Sequence, residues 1–139
     1  MPMLWSLERV SRMGASVDID LPREPTAGRR ARELLSERFG AELDQAELDT
    51  AKLLASELVN NAVLHGRGTI ALRVQLDAGR LRVDVIDGGS GFERKAQDGK
   101  LDGFAGRGLH IVDAAASRWG VHEGSAHVWV ELERAGPRL

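Results

Sequence analysis

The sequence predicts an α+β fold, a two-layer sandwich in which a mixed, mostly antiparallel sheet carries helices on one face. Several short segments alternate apolar and polar residues, which is the pattern of half-buried strands, while others repeat apolar residues at helical spacing. The segments follow the order β-α-α-β-β-loop-α-β-β. This order forms neither a series of βαβ units nor separate blocks of strands and helices, so a helix-covered antiparallel-rich or mixed sheet is the natural solution.

The composition excludes several classes of protein. The chain has 139 residues, the size of one domain, with 42% hydrophobic residues and a net charge of −2. That charge offers no general attraction to nucleic acid or to anionic membranes. The absence of cysteine excludes disulfides and thiolate catalysis. The sequence shows no apolar run long enough to predict a membrane-spanning helix and no pattern that predicts a signal peptide. We expect a cytoplasmic protein with one domain at residues 16–134, preceded by an unassigned segment, residues 1–15.

The first half of the chain contains one strand and two helices. Residues 16–22 alternate apolar and polar side chains, which predicts a half-buried strand. Residues 26–40 follow as a helix, with Thr26 as its N-cap and Gly40 as its stop. The second helix is longer. It begins near Asp44 or Gln45 and ends at Gly66.

The second half contains two hairpins, a glycine-rich loop and one helix. Residues 69–87 form two alternating strands around the turn "DAGR". Residues 88–106 contain many glycines and few apolar residues, which predicts a long loop of a kind that is often functional. A third helix is predicted over residues 108–119. A last hairpin turns around Gly124 within residues 120–134.

The second helix carries polar residues on its apolar side. On a helical wheel Asn61 lies about 40° from Glu57, so the two side chains share one flank and point toward the sheet. The opposite, water-facing arc is predicted to hold Asp49, Lys52, Ser56 and Asn60. A buried carboxylate and amide cost several kcal/mol unless a partner satisfies them. Two explanations stay open. Either the two side chains cap a loop or bind internal water, or they form a ligand or Mg²⁺ site.

Two glycine motifs follow the strands. Asp87, Gly89 and Gly91 have the spacing D-x-G-x-G directly after a strand, where glycine lets the backbone approach a ligand closely. Gly106 and Gly108 precede the third helix, and a glycine-rich turn entering a helix is a potential anion site. Either motif alone is also compatible with a plain turn.

Taken together, these motifs resemble a known superfamily. "ELVNNAVLHG", "DGGSG" and "GRGLHIVD" resemble the N, G1 and G2 boxes of the GHKL, or histidine kinase-like, ATPases. The short length, the arginine-rich first helix and the ending "SRWGV…VWVEL" resemble the anti-sigma factor serine kinase branch. The resemblance covers residues 16–133 and implies the Bergerat-type ATP-binding fold with ATP and Mg²⁺ as ligands.

The resemblance implies roles for individual residues. Asn61 matches the asparagine that holds Mg²⁺ bridging the phosphates, and Glu57 matches the catalytic general base. Asp87 matches the aspartate that accepts a hydrogen bond from the adenine amino group. Gly89 and Gly91 match the glycines that make room for the base.

The G2 turn and the preceding loop complete the implied site. Gly106, Arg107, Gly108 and Leu109 match the turn whose amides hold phosphate, and residues 92–106 match the ATP lid. Few apolar residues anchor this lid, so we predict that it is mobile without nucleotide and ordered with it. Hydrogen exchange with and without Mg²⁺-nucleotide tests this prediction, and full protection of the nucleotide-free lid would contradict it.

One departure from the family pattern bears on activity. Where the family has threonine or serine before the last strand's "VW", helping near the phosphates, this chain has His127, with Ser125 two residues earlier. Two functions therefore stay open. The first is an ATP-dependent serine kinase that phosphorylates an anti-sigma factor antagonist and sequesters a sigma factor. The second is a partner-binding module without transfer. A homodimer is a further open alternative.

Overall fold

The computed structural model describes residues 15–88, 109–122 and 126–134, and the elements follow the predicted order. The elements are β1 (Ala15–Leu21), α1 (Ala27–Phe39), α2 (Gln45–His65), β2 (Ile70–Leu76), β3 (Arg80–Asp87), α3 (His110–Ala115), β4 (Arg118–His122) and β5 (Ala126–Glu133). The predicted fold class is confirmed, because strands and helices form an α+β structure with one five-stranded sheet.

The strands of the sheet lie in the order β1-β2-β3-β5-β4, and every neighbouring pair in the described part of the chain is antiparallel. β3 is central and pairs with β5 from Arg80 opposite Glu133 to Asp87 opposite Ala126. Consequently the last residue of β3 and the first residue of β5 lie side by side at one end of the sheet.

The core lies between the sheet and the helices. α2 contacts β2, β3 and β5, and α1 and α3 each pack against α2. The largest fully buried side chains come from both layers, as two-layer packing requires. They are Leu21, Leu35, Phe39, Leu54, Leu58, Val59, Ile70, Leu72, Val74, Leu81, Val83 and Leu109.

The third helix is shorter than predicted. The sequence pattern predicted a helix over residues 108–119, but α3 ends at Ala115 and β4 already begins at Arg118. Trp119 is part of this strand, where it pairs with Val130, and its indole N–H donates to Asp113 Oδ1 at 2.8 Å. Pairing with β5 therefore outweighed the helical preference of the alanine-rich segment.

The helix ends differ in how they are capped. Thr26 is the N-cap residue of α1, as predicted, but its side chain makes no capping hydrogen bond. Asp44 begins α2 with a full capping box, because its carboxylate accepts from the Glu47 N–H while Glu47 accepts from the Asp44 N–H. This cap confirms the predicted start of the helix that carries Glu57 and Asn61.

A network of charged side chains covers the sheet face that points away from the helices. Arg82 donates to Asp84 at 3.0 and 3.1 Å and to Glu131 Oε2 at 3.2 Å, while Arg118 also donates to Glu131. His127 Nε2 lies 2.7 Å from Asp84 Oδ2. Burial raises the pKa of both carboxyls, but the hydrogen bonds outweigh burial and hold each pKa below its usual value.

This network makes stability depend on pH. Because the pKa values of Asp84 and Glu131 are lower in the folded chain, their contribution is complete above the unfolded carboxyl pKa of about 4. It is lost as the pH falls from there through the folded values. We expect urea unfolding to show a falling free energy of unfolding below about pH 4. The Asp84→Asn variant should flatten this dependence, and an unchanged pH profile would contradict the assignment.

Candidate functional site

Two polar side chains on α2 lack partners in the part of the chain that the structure describes. Asn61 is 6% exposed, and its Oδ1 accepts no hydrogen bond from these residues. Glu57, one turn earlier, is half-buried and forms no hydrogen bond or ion pair with any residue in the described ranges. Leaving a buried acceptor unsatisfied costs about 1–3 kcal/mol, so native structures rarely do so without a reason. The buried Asn61 and the half-buried Glu57, one turn apart, agree with the predicted polar flank of this helix.

The opposite flank of α2 differs from the helical-wheel prediction. Ser56 was expected to face water, but it is 4% exposed and its hydroxyl donates to the Leu53 carbonyl at 3.1 Å. Leu64, an apolar residue near the end of the same helix, is 76% exposed. Asn60 is exposed as expected and lies directly against Gly28 of α1. α2 thus has a second buried flank under α1, which a single-helix wheel does not represent.

Asp87 ends β3 next to the C-terminal end of α2. Alternation along β3 places it on the helix-facing side, two residues after the buried Val85. Its Oδ1 accepts from the Arg67 N–H at 3.4 Å, and the Gly88 N–H donates to the Arg67 carbonyl at 2.8 Å. The aspartate therefore lies against the C-terminal end of the helix that carries Glu57 and Asn61.

His127 does not lie on this side of the sheet. Its ring contacts Asp84 on the opposite face and stacks on His122, with the ring centroids 4.2 Å apart. The β5 residue that faces the helices beside Asp87 is Ala126. The expectation that His127 stands where the family has a phosphate-side hydroxyl is therefore wrong, because strand alternation turns it away from the site.

Several predicted site residues lie outside the described ranges. These are Gly89, Gly91, Gly106, Arg107 and Gly108, together with the lid at residues 92–106 and Ser125. Leu109 is described. It is fully buried in the core, and its carbonyl accepts from the Asp113 N–H at 2.9 Å in the first turn of α3. Its side chain is thus structural, and only its backbone remains available for the predicted phosphate contact.

The donor chemistry of Asn61 fits Mg²⁺. This ion prefers oxygen ligands and commonly takes one or two from the protein, with waters and substrate phosphates as the others. In residues 15–88, 109–122 and 126–134 there is no group of three or more His, Asp or Glu side chains that could hold a metal. A single amide oxygen is compatible with the role that the resemblance implies for Asn61.

Sequence reasoning missed the part played by the turn after α2. Gly66 was read only as the end of a helix, although an ideal Cβ there would lie 2.2 Å from Asp87 Oδ2. Arg67 was not singled out, yet its backbone holds both Asp87 and Gly88. The sequence carries no signal for this contact, because it joins segments 20 residues apart.

The family profile of the histidine kinase-like ATPase domain matches residues 21–133, which is most of the chain. The chain belongs to the histidine kinase-like ATPase family. The resemblance of its three motifs to this superfamily is thereby confirmed, and membership implies that the chain binds ATP. The match contains α2, β3 and α3, the three elements that carry Glu57, Asn61, Asp87 and Leu109.

A solved structure has the same fold as this ATPase domain. The RsbU and RsbW domains of Rv1364c from Mycobacterium tuberculosis match with a TM-score of 0.64 and 24% identity, over 90% of this chain and 33% of that one. The chain thus spans about a third of that protein. No protein with a curated description matches the chain. In the described residues, no helix combines the length and apolar character that a membrane span requires.

Proposed function

We propose that this chain is a protein serine kinase that uses Mg²⁺-ATP to phosphorylate an anti-sigma factor antagonist and otherwise sequesters a sigma factor in the cytoplasm. The observation that carries the proposal is the buried Asn61 Oδ1, which has no partner among the described residues and lies one turn from Glu57, which has none there either. A structural asparagine would have its acceptor satisfied within the protein. An asparagine that binds a ligand keeps this acceptor available.

The residues divide into those that bind nucleotide and one that acts on a proton. Asp87 accepts a hydrogen bond from the adenine amino group, and Asn61 provides the protein ligand of Mg²⁺. The remaining binding positions are glycines and backbone amides, namely Gly89, Gly91, Gly106, Arg107, Gly108 and Leu109. Bound Mg²⁺ neutralises phosphate charge, which is the main requirement of phosphoryl transfer.

Glu57 is the proposed general base. The hydroxyl oxygen of the substrate serine bonds to the terminal phosphorus of ATP as the bond from that phosphorus to ADP breaks. The serine proton passes to the Glu57 carboxylate, which has no competing partner among the described residues. Such proton transfer contributes about 10²–10⁴-fold to the rate.

A binding module without phosphoryl transfer is the second candidate, and one observation favours it. The β5 position that faces the helices beside Asp87 is Ala126, which has no hydroxyl, while His127 points to the other face. In the family a threonine or serine near this point assists at the phosphates. Its absence weakens the case for transfer more than the case for nucleotide binding.

Labelled ATP distinguishes the two candidates. The purified chain is incubated with Mg²⁺, [γ-³²P]ATP and candidate antagonist proteins, and the phosphorylated serine is located by mass spectrometry. The kinase proposal predicts label on one antagonist and none on unrelated serine-containing proteins. Nucleotide binding without label on any antagonist would favour the binding module, and sigma factor capture by the unlabelled chain would then be tested by co-purification.

A further inference from the structure

Gly66 is glycine because of the space it leaves, not because of its backbone conformation. Its φ of −96° and ψ of −165° suit any residue. An ideal Cβ at this position would lie 2.2 Å from Asp87 Oδ2 and 2.5 Å from Asp87 Cγ. Real Cβ atoms essentially never approach so closely. Any side chain at position 66 therefore has to displace the Asp87 carboxylate.

The same turn holds the backbone around Asp87. The Arg67 N–H donates to Asp87 Oδ1, and the Arg67 carbonyl accepts from Gly88. Gly68, with a φ of +67°, then leads the chain toward β2. The C-terminal end of α2 and the end of β3 are thus joined by two hydrogen bonds and one close packing contact. The position of the carboxylate relative to Asn61 depends on this junction.

We propose that Gly66 is a positioning residue that sets the base selectivity of the nucleotide site. The inference rests on the proposed function, in which Asp87 accepts a hydrogen bond from the adenine amino group. By packing against the Cα of Gly66, the carboxylate keeps one orientation before any nucleotide arrives. A site organised around such a hydrogen bond rejects an analogue that lacks the donor. Hypoxanthine is that analogue, because it has a carbonyl oxygen where adenine has the amino group.

The test is titration calorimetry of ATP and ITP, each with Mg²⁺, on the wild type and on Gly66→Ala. The wild type should prefer ATP by roughly tenfold or more, because a hydrogen bond to a charged group contributes about 1.5–3 kcal/mol. In Gly66→Ala the displaced Asp87 should bring the ratio of the two affinities close to one, mainly by weakening ATP. The matched control is Gly79→Ala in the β2–β3 turn. There a Cβ would meet only Asp77 Oδ1, at 4.0 Å, and the preference should not change.

A double mutant separates positioning from a general loss of structure. In an Asp87→Ala background, adding Gly66→Ala should not change the ratio of the ATP and ITP affinities, because the side chain that sets this ratio is already gone. A further change in the ratio would overturn the inference. An unchanged preference for ATP in Gly66→Ala would overturn this inference but not the proposed function. A wild type that binds neither nucleotide would overturn both.

Gly66→Ala has to be checked for folding by thermal denaturation, because a Cβ at position 66 would also lie 2.6 Å from the Ala62 carbonyl. A second variant, Asp87→Glu, tests the same contact without altering residue 66 or the end of α2. Its longer side chain no longer fits the space against Gly66, so it should also lose the ATP preference. Retention of the wild-type preference by Asp87→Glu would show that the close contact does not set selectivity.

Discussion

Replacing Asn61 with alanine is expected to weaken Mg²⁺-dependent nucleotide binding by roughly tenfold or more, since polar contacts to charged groups contribute about 1.5–3 kcal/mol. The variant removes the amide oxygen proposed to hold the ion beside the phosphates. Because Asn61 Oδ1 has no hydrogen-bond partner among the described residues, its removal breaks no hydrogen bond to them through that atom. We therefore expect Asn61→Ala to lose less stability than an alanine substitution of a hydrogen-bonded buried asparagine would. Binding should be affected far more than stability.

The neighbouring asparagine is the matched control. Asn60 has the same side chain on the same helix, but it is exposed and lies against Gly28 of α1. Asn60→Ala should leave the affinity for Mg²⁺-ATP unchanged within a few-fold. Calorimetric titrations of both variants, with Mg²⁺ and with EDTA, together with thermal denaturation, measure the difference. Equal losses of affinity, or a loss that persists in EDTA, would contradict the assignment of Asn61 as the metal ligand.

Replacing Glu57 with glutamine is expected to abolish phosphoryl transfer while keeping nucleotide affinity within a few-fold. Glutamine preserves the size and polarity of the side chain but cannot accept the serine proton as a carboxylate does. General-base catalysis is typically worth about 10²–10⁴-fold, so the rate should fall by that order. Single-turnover transfer from labelled ATP to the antagonist measures the rate, and calorimetry measures the affinity.

Glu133→Gln provides the control for this change. Glu133 is exposed at the far end of β5, opposite Arg80 and seven residues from Ala126, which lies beside Asp87. The Glu133→Gln substitution removes the same charge from the chain without altering the site. Both phosphoryl transfer and nucleotide binding should therefore stay at the wild-type level. A Glu57→Gln variant that transfers phosphate as fast as the wild type would exclude the general-base role. A variant that loses nucleotide affinity as well would instead assign Glu57 a part in binding.

Much of the architecture could be predicted from local patterns. The alternation of Val17, Ile19 and Leu21 predicted β1, and the start of α2 was predicted near Asp44 or Gln45, because strand alternation and helix ends are local signals. The third helix was predicted too long for the same reason. Its alanines favour a helix locally, but the decisive partner of Trp119 lies on β5, far along the chain.

The sequence by itself determined the order of the elements, the helix that carries Glu57 and Asn61, and the three motifs whose family is confirmed. The tertiary structure alone decided that Asn61 Oδ1 has no partner among the described residues, that His127 faces away from Asp87 and that Asp87 packs against Gly66. The physical reason is the range of the interactions. Periodicity and capping act within a few residues, whereas burial of an atom, the facing side of a paired strand and the space beside a glycine depend on contacts between distant segments.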